Sequence, residues 1–163
     1  MRTRGFELAG PAARRIQVPD RTLALDEILD ADYICAFEIP RSAMDSRTAE
    51  QWAQAVFEGP AMLVRIFLTL GWRLALGLRL GPRPAKGHVL GWRIRAAQPD
   101  LLVLEGDSRL ITADNVAQVD DTRVVWTTFV GYRNMVGRVA WALTAPFHTA
   151  VIPRLLRRAA REG

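Results

Sequence analysis

The sequence predicts an α+β fold in which a curved antiparallel sheet packs around a long C-terminal helix, with two helices inserted after the first strand. Residues 88–132 carry the sheet signal, because the hydrophobic pattern changes there to a period of two and the segment divides into four runs. Short turns separate these runs and therefore predict an antiparallel meander. Residues 134–162 form the longest run with helical spacing, and only this helix is long enough to cover one face of the sheet.

Length and composition indicate one domain. A chain of 163 residues supports a single core, and 50% hydrophobic with 24% charged residues is a globular composition. Residues 1–20 mix glycine and proline without a sustained period, which predicts an irregular N-terminal leader. Residues 21–163 are expected to form the domain.

Charge and cysteine content exclude several classes of function. The 22 basic and 17 acidic residues give a net charge of +5, but the arginines are scattered, so we expect no nucleic-acid partner. Cys35 is the only cysteine, which excludes an intrachain disulfide and a multi-cysteine metal site. We expect no metal and no cofactor. The lone thiol and the lack of a secretory signal in residues 1–15 favour a cytoplasmic location.

Two apolar stretches require a test as membrane spans. Residues 61–80 are interrupted by three arginines, and residues 139–152 are short and contain Pro146 and His148. A span needs about 20 consecutive apolar residues, so neither stretch is expected to cross a membrane. Peripheral membrane contact stays open, because apolar helices with flanking arginines are typical of interfacial anchors.

The first half of the chain predicts a short helical turn around Leu25 and Ile28, a buried strand at 32–39 and two helices. Asp45 or Ser46 is expected to cap the first helix, which ends near Glu58. The second helix carries an apolar stripe, which we expect to pack on the sheet, with a membrane or partner surface as the alternative. This stripe consists of Leu63, Ile66, Phe67, Leu70 and Leu74.

The second half predicts a connector at 77–87, four meander strands and the final helix. The strands are expected at 88–96, 101–107, 109–119 (the third, with a possible bulge) and 123–132. In the final helix, Asn134 is a natural N-cap, and Gly137 allows close approach to the sheet. Pro146 is expected to bend the helix. The expected inward stripe is Val136, Val139 or Ala140, Leu143, Phe147 and Val151.

The order of elements resembles the helix-grip fold of START-type and polyketide-cyclase-type proteins. The segment at 134–159 also resembles the closing signature of the DUF2867 family, with Gly137, Arg138, Pro146, Phe147 and His148 at matching places. The similarity covers residues 30–160. It implies a helix-grip-like (SRPBCC-like) fold with a possible cavity between sheet and helix, in a family of unknown function. Residues 107–110 read D-S-R-L where members often have a D-R-H-L-type start, so no role is carried over there.

Three functions follow as hypotheses. The first is binding of an apolar small molecule between sheet and C-terminal helix. Its expected ligand-binding residues are Tyr33, Trp92, Trp126, Thr128, Tyr132, Arg138, Phe147 and His148. The second is a cyclase or isomerase-type enzyme that uses His148 with Tyr33 or Asp107 for acid–base chemistry. The third is peripheral membrane or partner docking through residues 63–80.

Two residues of the final helix also have structural interpretations. No cysteine, carboxylate or second histidine is expected beside His148, so neither a metal site nor a catalytic triad is expected. A hydrogen bond to a nearby backbone carbonyl is the expected role of its ring. Arg138 is expected to form an ion pair with Asp107 or Asp114 rather than to hold an anionic ligand.

Overall fold

The computed structural model describes residues 10–24 and 31–163, and it shows a seven-stranded antiparallel sheet with a long C-terminal helix. The order across the sheet is β1-β2-β7-β6-β5-β4-β3. This confirms the predicted mixed α+β class and the meander. The strands are β1 Arg14–Ile16, β2 Tyr33–Pro40, β3 His88–Val89, β4 Trp92–Gln98, β5 Leu101–Asp107, β6 Ile111–Val119 and β7 Arg123–Tyr132.

Four helices accompany the sheet in the described residues. They are α1 Asp20–Leu23, α2 Ala49–Phe57, α3 Met62–Leu70 and α4 Met135–Arg161. A π-helical turn, Gly71–Ala75, directly continues α3. The predicted helical turn around Leu25 and Ile28 lies outside the described residues.

The main core lies between the inner face of the sheet and the helices α2 and α4. Four aromatic rings form its centre, and Phe57 on α2 contacts three of them. Its ring centroid lies 5.1 Å from that of Trp72, 6.4 Å from that of Trp92 and 5.1 Å from that of Trp126. Such edge-to-face and stacked pairs fill space with large rigid groups, so they fix α2 and the π turn against the sheet.

The N-terminal leader is more regular than the sequence predicts. Residues 14–16 form strand β1, which pairs antiparallel with β2 at the sheet edge. The buried carboxylate of Glu38 explains this order, since Arg14 Nε donates to it at 2.6 Å and Arg123 Nη1 donates at 2.7 Å. Burial of an unpaired carboxylate would cost folding free energy, so Arg14 of the leader stabilises β2 by supplying a cation for Glu38.

The predicted strand 88–96 is two strands. Leu90 and Gly91 both have positive φ, 44° and 91°, which is the geometry of a two-residue hairpin turn between β3 and β4. The bulge also differs in position. Pairing shifts in β4 between Ile94 and Ala96, whereas β6 pairs with β7 without interruption.

Helix α2 begins later than predicted. Thr48 is its N-cap, and it forms a reciprocal capping box with Gln51: its hydroxyl accepts from the Gln51 backbone N–H, and its own N–H donates to Gln51. Asp45, one of the predicted caps, instead accepts from the Arg47 guanidinium at 2.6 Å. Because its carboxylate is engaged in this ion pair, Asp45 does not cap the helix.

The largest difference concerns which side of the helices faces the sheet. The predicted inward stripe of α4 is mostly exposed, and Phe147 retains 64% of its accessible surface. The buried positions of α4 are Gly137, Trp141, Ile152, Leu155, Leu156 and Ala159. The first half of α4 is apolar on every side, so the hydrophobic pattern alone does not select a face.

Helix α3 also departs from the expectation that its stripe packs on the sheet. Leu63 is 76% exposed, Phe67 60% and Leu74 79%, while only Leu68 and Thr69 of α3 are buried. The prediction of a core-facing stripe is therefore wrong.

Gly137 provides a test of how α4 is positioned. A Cβ atom added there would collide with the backbone carbonyl of Leu110. We expect Gly137→Ala to destabilise the fold by about 3 kcal/mol or more, because a backbone carbonyl cannot move aside as a side chain does. Urea unfolding followed by circular dichroism measures the change.

The matched control is Gly71→Ala, since a Cβ at Gly71 meets nothing within 4 Å. Its helical backbone predicts a change within about 1 kcal/mol, in the stabilising direction. Equal stability of the two variants would contradict the close approach at Gly137.

Candidate functional site

A hydrogen-bonded polar cluster lies beneath the middle of α4. His148 Nε2 is 3.1 Å from Thr128 Oγ1, and the Thr128 hydroxyl donates to Asn115 Oδ1 at 2.7 Å. The indole N–H of Trp126 donates to the same oxygen at 3.3 Å. Because the Thr128 proton is directed to Asn115, its oxygen accepts from His148, which places the imidazole proton on Nε2.

The other imidazole nitrogen faces a cysteine that the sequence analysis did not connect with it. Cys35 Sγ lies 3.8 Å from His148 Nδ1, so the thiol can donate a weak hydrogen bond to the unprotonated nitrogen. The Trp141 ring stands beside this pair, 5.4 Å from the imidazole and 5.2 Å from the Tyr33 ring by centroid distance. The expectation that no cysteine lies near His148 is therefore wrong.

The titratable groups of this cluster are held in their neutral forms. Burial, with the nearby positive charge of Arg15, lowers the pKa of His148 to about 4. Burial also raises the pKa of the Cys35 thiol and of the Tyr33 phenol. The pair at neutral pH is therefore a thiol and a neutral imidazole, which lacks the thiolate of an activated nucleophile. The cluster offers hydrogen-bond donors and acceptors rather than charge.

The structure brings together only part of the predicted ligand-binding set. Tyr33, Thr128 and His148 lie around the polar cluster, and Asn115 at its centre was missed. Asn115 occupies a buried position of β6. An asparagine on the otherwise apolar face of a predicted strand was the sequence feature that could have identified it. Trp126 links the cluster to the aromatic core.

The remaining predicted residues lie elsewhere. Trp92 packs against Phe57 and Trp72 in the aromatic core. Phe147 and Arg138 are exposed on α4, and Tyr132 is half-buried at the end of β7.

The predicted partners of Arg138 are engaged by other arginines. Asp114 pairs with Arg95 at 2.9 Å, and Asp107 lies 3.8 Å from Arg79 and 3.9 Å from Arg133. No carboxylate in residues 10–24 and 31–163 forms an ion pair with Arg138. The expected ion pair is therefore wrong. Those same ranges also contain no group of three or more histidine, cysteine or acidic residues placed to hold a metal ion.

A second feature is an exposed apolar surface on two helices, here called the apolar helical surface. Of the 14 large hydrophobic side chains that are exposed in the described residues, all but Leu23 and Met44 belong to it. Its members on α3 and the π turn are Met62, Leu63, Val64, Ile66, Phe67, Leu70 and Leu74. Its members on α4 are Met135, Val136, Val139, Leu143 and Phe147.

The two parts of this surface lie on the same side of the sheet. The end of α2 touches the end of α4, where Arg158 Nη1 approaches the Ala55 carbonyl at 3.5 Å. After the π turn, Arg79 N donates to the Asp107 carbonyl, beside the loop that meets the start of α4. The segment from α3 to the π turn therefore begins near the end of α4 and leads back toward the start of α4.

The two segments that carry this surface are rich in basic residues. Residues 59–87 contain five arginine or lysine residues, residues 133–161 contain six arginines, and neither segment contains aspartate or glutamate. Among the described helices, none is by itself long and apolar enough to cross a bilayer. Ala49–Phe57 and Met62–Ala75, bent by 93°, meet the length and composition criteria only as a pair.

These features define an α+β sheet protein with a neutral polar cluster beneath its C-terminal helix and an apolar surface on its helices. Comparison with protein families gives a match over residues 28–155 to the family described as "Protein of unknown function (DUF2867)". The chain belongs to the DUF2867 family. No curated protein and no solved structure matches the chain.

The pKa of His148 predicts a specific pH dependence of stability. The fold holds the imidazole neutral, so the unfolded chain takes up the proton first, with a pKa near 6.5. This stabilisation is complete above that pH and is lost as the pH falls toward 4. The loss amounts to about 2–3 kcal/mol. Unfolding free energies of the wild type and His148→Gln between pH 7.5 and pH 4 test this, in steps of about half a unit.

Glutamine can donate to Thr128 but does not titrate, so the variant's profile should be flatter over this window. Carboxylates such as Glu38, whose pKa is lowered by Arg123 and Arg14, titrate in both proteins and cancel in the difference. Parallel profiles would contradict a neutral, buried His148.

Proposed function

We propose that this protein is a peripheral membrane protein that docks on an anionic lipid surface through its apolar helical surface. The supporting observation is the concentration of exposed large apolar side chains on α3, the π turn and the first half of α4. Soluble monomers rarely expose contiguous apolar patches beyond a few hundred Å², and larger ones mark interaction sites.

The energetics favour insertion into the interface of a bilayer. Full burial of a leucine or phenylalanine side chain contributes about 1.5–3 kcal/mol, so four inserted side chains contribute on the order of 6–12 kcal/mol. Each arginine near an anionic leaflet adds about 1 kcal/mol. An interfacial helix of this type lies in the plane of the membrane and does not cross it.

The charge distribution favours a lipid surface over a second copy of the chain. A two-fold contact through the apolar helical surface would bring together two segments that carry eleven basic and no acidic residues, of which only Arg79, Arg133 and Arg158 face a carboxylate among the described residues. Like charges placed together across an interface are unfavourable. An anionic leaflet instead complements these arginines, and we place the protein at the cytoplasmic side, where such lipids concentrate.

Aspartate substitutions on α3 test this proposal. We expect Leu63→Asp/Phe67→Asp to reduce binding to phosphatidylglycerol-containing vesicles at least tenfold, because two charges would enter the apolar interface. Cosedimentation at low salt measures binding, and raising the salt should weaken the wild type.

Met44→Asp is the control for an added surface charge, since Met44 is 91% exposed but lies outside the apolar helical surface. We expect it to bind vesicles within about twofold of the wild type. A wild type that does not bind vesicles would contradict the proposal. A wild-type dimer that Leu63→Asp/Phe67→Asp converts to monomers would also contradict the proposal, because a second copy of the chain would then cover this surface.

A second candidate function is binding of an apolar small molecule between the sheet and α4, as in the START and polyketide-cyclase (helix-grip) proteins that the sequence resembles. The polar cluster favours it, because Tyr33, Thr128 and His148 could direct hydrogen bonds to one polar group of such a ligand. The cyclase or isomerase version would use His148 with Tyr33. Asp107 is less suited, since it faces Arg79 and Arg133.

Native mass spectrometry of the freshly purified protein tests this second function. We expect an apolar adduct on the wild type and at least a fivefold lower occupancy on Thr128→Val, which removes the central hydroxyl while nearly keeping the volume. Ser42→Ala, remote from the cluster, is the control. A wild type without adduct, or equal occupancy in Thr128→Val, would contradict the polar cluster as a ligand site.

A further inference from the structure

The outward face of α4 changes character along the length of the helix. With a rotation of about 100° per residue, Arg154, Arg157 and Arg161 point in the same direction as Val139 and Leu143. All five side chains are exposed. The same face is therefore apolar in its first half and cationic in its last two turns.

These arginines line a groove of about 420 Å³ at the end of α4. Its lining residues are Arg154, Arg157, Arg158, Arg161 and Glu162. Glu162 is already engaged, because Arg158 Nη2 donates to its carboxylate at 2.6 Å. Among the described residues, neither Arg157 nor Arg161 forms an ion pair with a carboxylate. The groove therefore has a net excess of guanidinium groups.

Arginines near a helix C-terminus also interact favourably with the helix dipole, and this accounts for Arg158 and Arg161 in the last turn. It does not account for Arg154 and Arg157, since the dipole effect falls off within one turn. Arg154 donates to the Ala150 carbonyl at 2.8 Å, yet its side chain stays exposed. The exposed guanidinium groups of these two arginines are therefore available to an external anion.

We propose that this groove binds the headgroup of a membrane lipid that ends in a phosphate monoester, a phosphatidic-acid-type headgroup. The inference rests on the proposed membrane docking. Guanidinium groups bind phosphate oxygens in bidentate pairs. A monoester offers three free oxygens and up to two negative charges, whereas a diester offers two oxygens and one charge. Zwitterionic headgroups would add a cation that the arginines repel.

The geometry of α4 fits this arrangement. Val139 and Arg157 are 18 residues apart, which corresponds to about 27 Å along the helix axis. With α4 inclined only slightly to the membrane plane, its apolar first half would lie just below the headgroups and its last turns would stay at the level of the phosphates. Long arginine side chains extend toward phosphates in this way at helix ends.

Vesicle cosedimentation with two lipid mixtures tests the inference. Phosphatidylcholine vesicles contain either phosphatidic acid or phosphatidylglycerol, adjusted to equal zeta potential so that surface charge does not differ. We expect the wild type to bind the phosphatidic acid vesicles at least about fivefold more tightly. In Arg154→Gln/Arg157→Gln this preference should fall to about one.

The control is Arg21→Gln/Arg109→Gln, which removes the same charge at exposed sites away from the end of α4 and outside the two segments that carry the apolar helical surface. We expect it to keep the preference, and thermal unfolding of all proteins checks that they fold alike. A wild type that binds both vesicles equally, or a preference that survives in Arg154→Gln/Arg157→Gln, would overturn the headgroup site and leave membrane docking intact. Failure to bind any vesicle would instead contradict the docking itself.

A final experiment distinguishes binding of a lipid headgroup from binding of free inorganic phosphate. Inorganic phosphate is titrated into the protein without vesicles. We expect no saturable binding in the micromolar range, since a free ion lacks the anchoring that the apolar helical surface provides. Arginine-dependent micromolar binding of inorganic phosphate would assign the groove to a soluble ligand and overturn the lipid proposal.

Discussion

The contact between the Gly137 backbone and the Leu110 carbonyl determines how α4 is oriented on the sheet. Only a residue without a side chain fits there, and Asn134 fixes the same end by capping the Gly137 N–H at 2.9 Å. With one position fixed against the sheet, the helical repeat determines every other one. His148 follows Gly137 by eleven residues, about three turns, and therefore also faces inward. Phe147, a neighbour in sequence, is turned outward by the same geometry.

The same constraint gives the polar cluster its character. His148 is carried into a largely apolar space, where a charged imidazole would be unfavourable. The Thr128 hydroxyl accepts the hydrogen bond of the neutral imidazole and itself donates to Asn115, while Cys35 faces the remaining imidazole nitrogen. Such a network is stable only while its members are satisfied. Any ligand at this site must therefore replace these bonds with its own.

The sequence predicts the sheet well because strand alternation and short turns are local signals. Strands β5 and β7 have their predicted limits, and Asn134 caps α4 as expected. Local patterns do not predict the orientation of α4, since its first half is apolar on all sides. A tertiary contact with the β5–β6 loop determines which face of α4 is turned toward the sheet. Cys35 and His148 are 113 residues apart in the chain, so only the folded structure shows their proximity.

The exposure of α3 follows from the area of sheet that the core helices already occupy. Helix α2, the π turn and α4 cover the inner face, with Trp52, Phe57 and Trp126 almost completely buried. Trp72 holds the π turn in that layer, which leaves the outer side of α3 without a surface to pack on. Polar residues on the outer side of α3 would be compatible with the fold. Because large apolar residues stand there instead, in a segment that contains arginines and no acidic residue, the surface is better explained by an external anionic, apolar partner than by the needs of the fold.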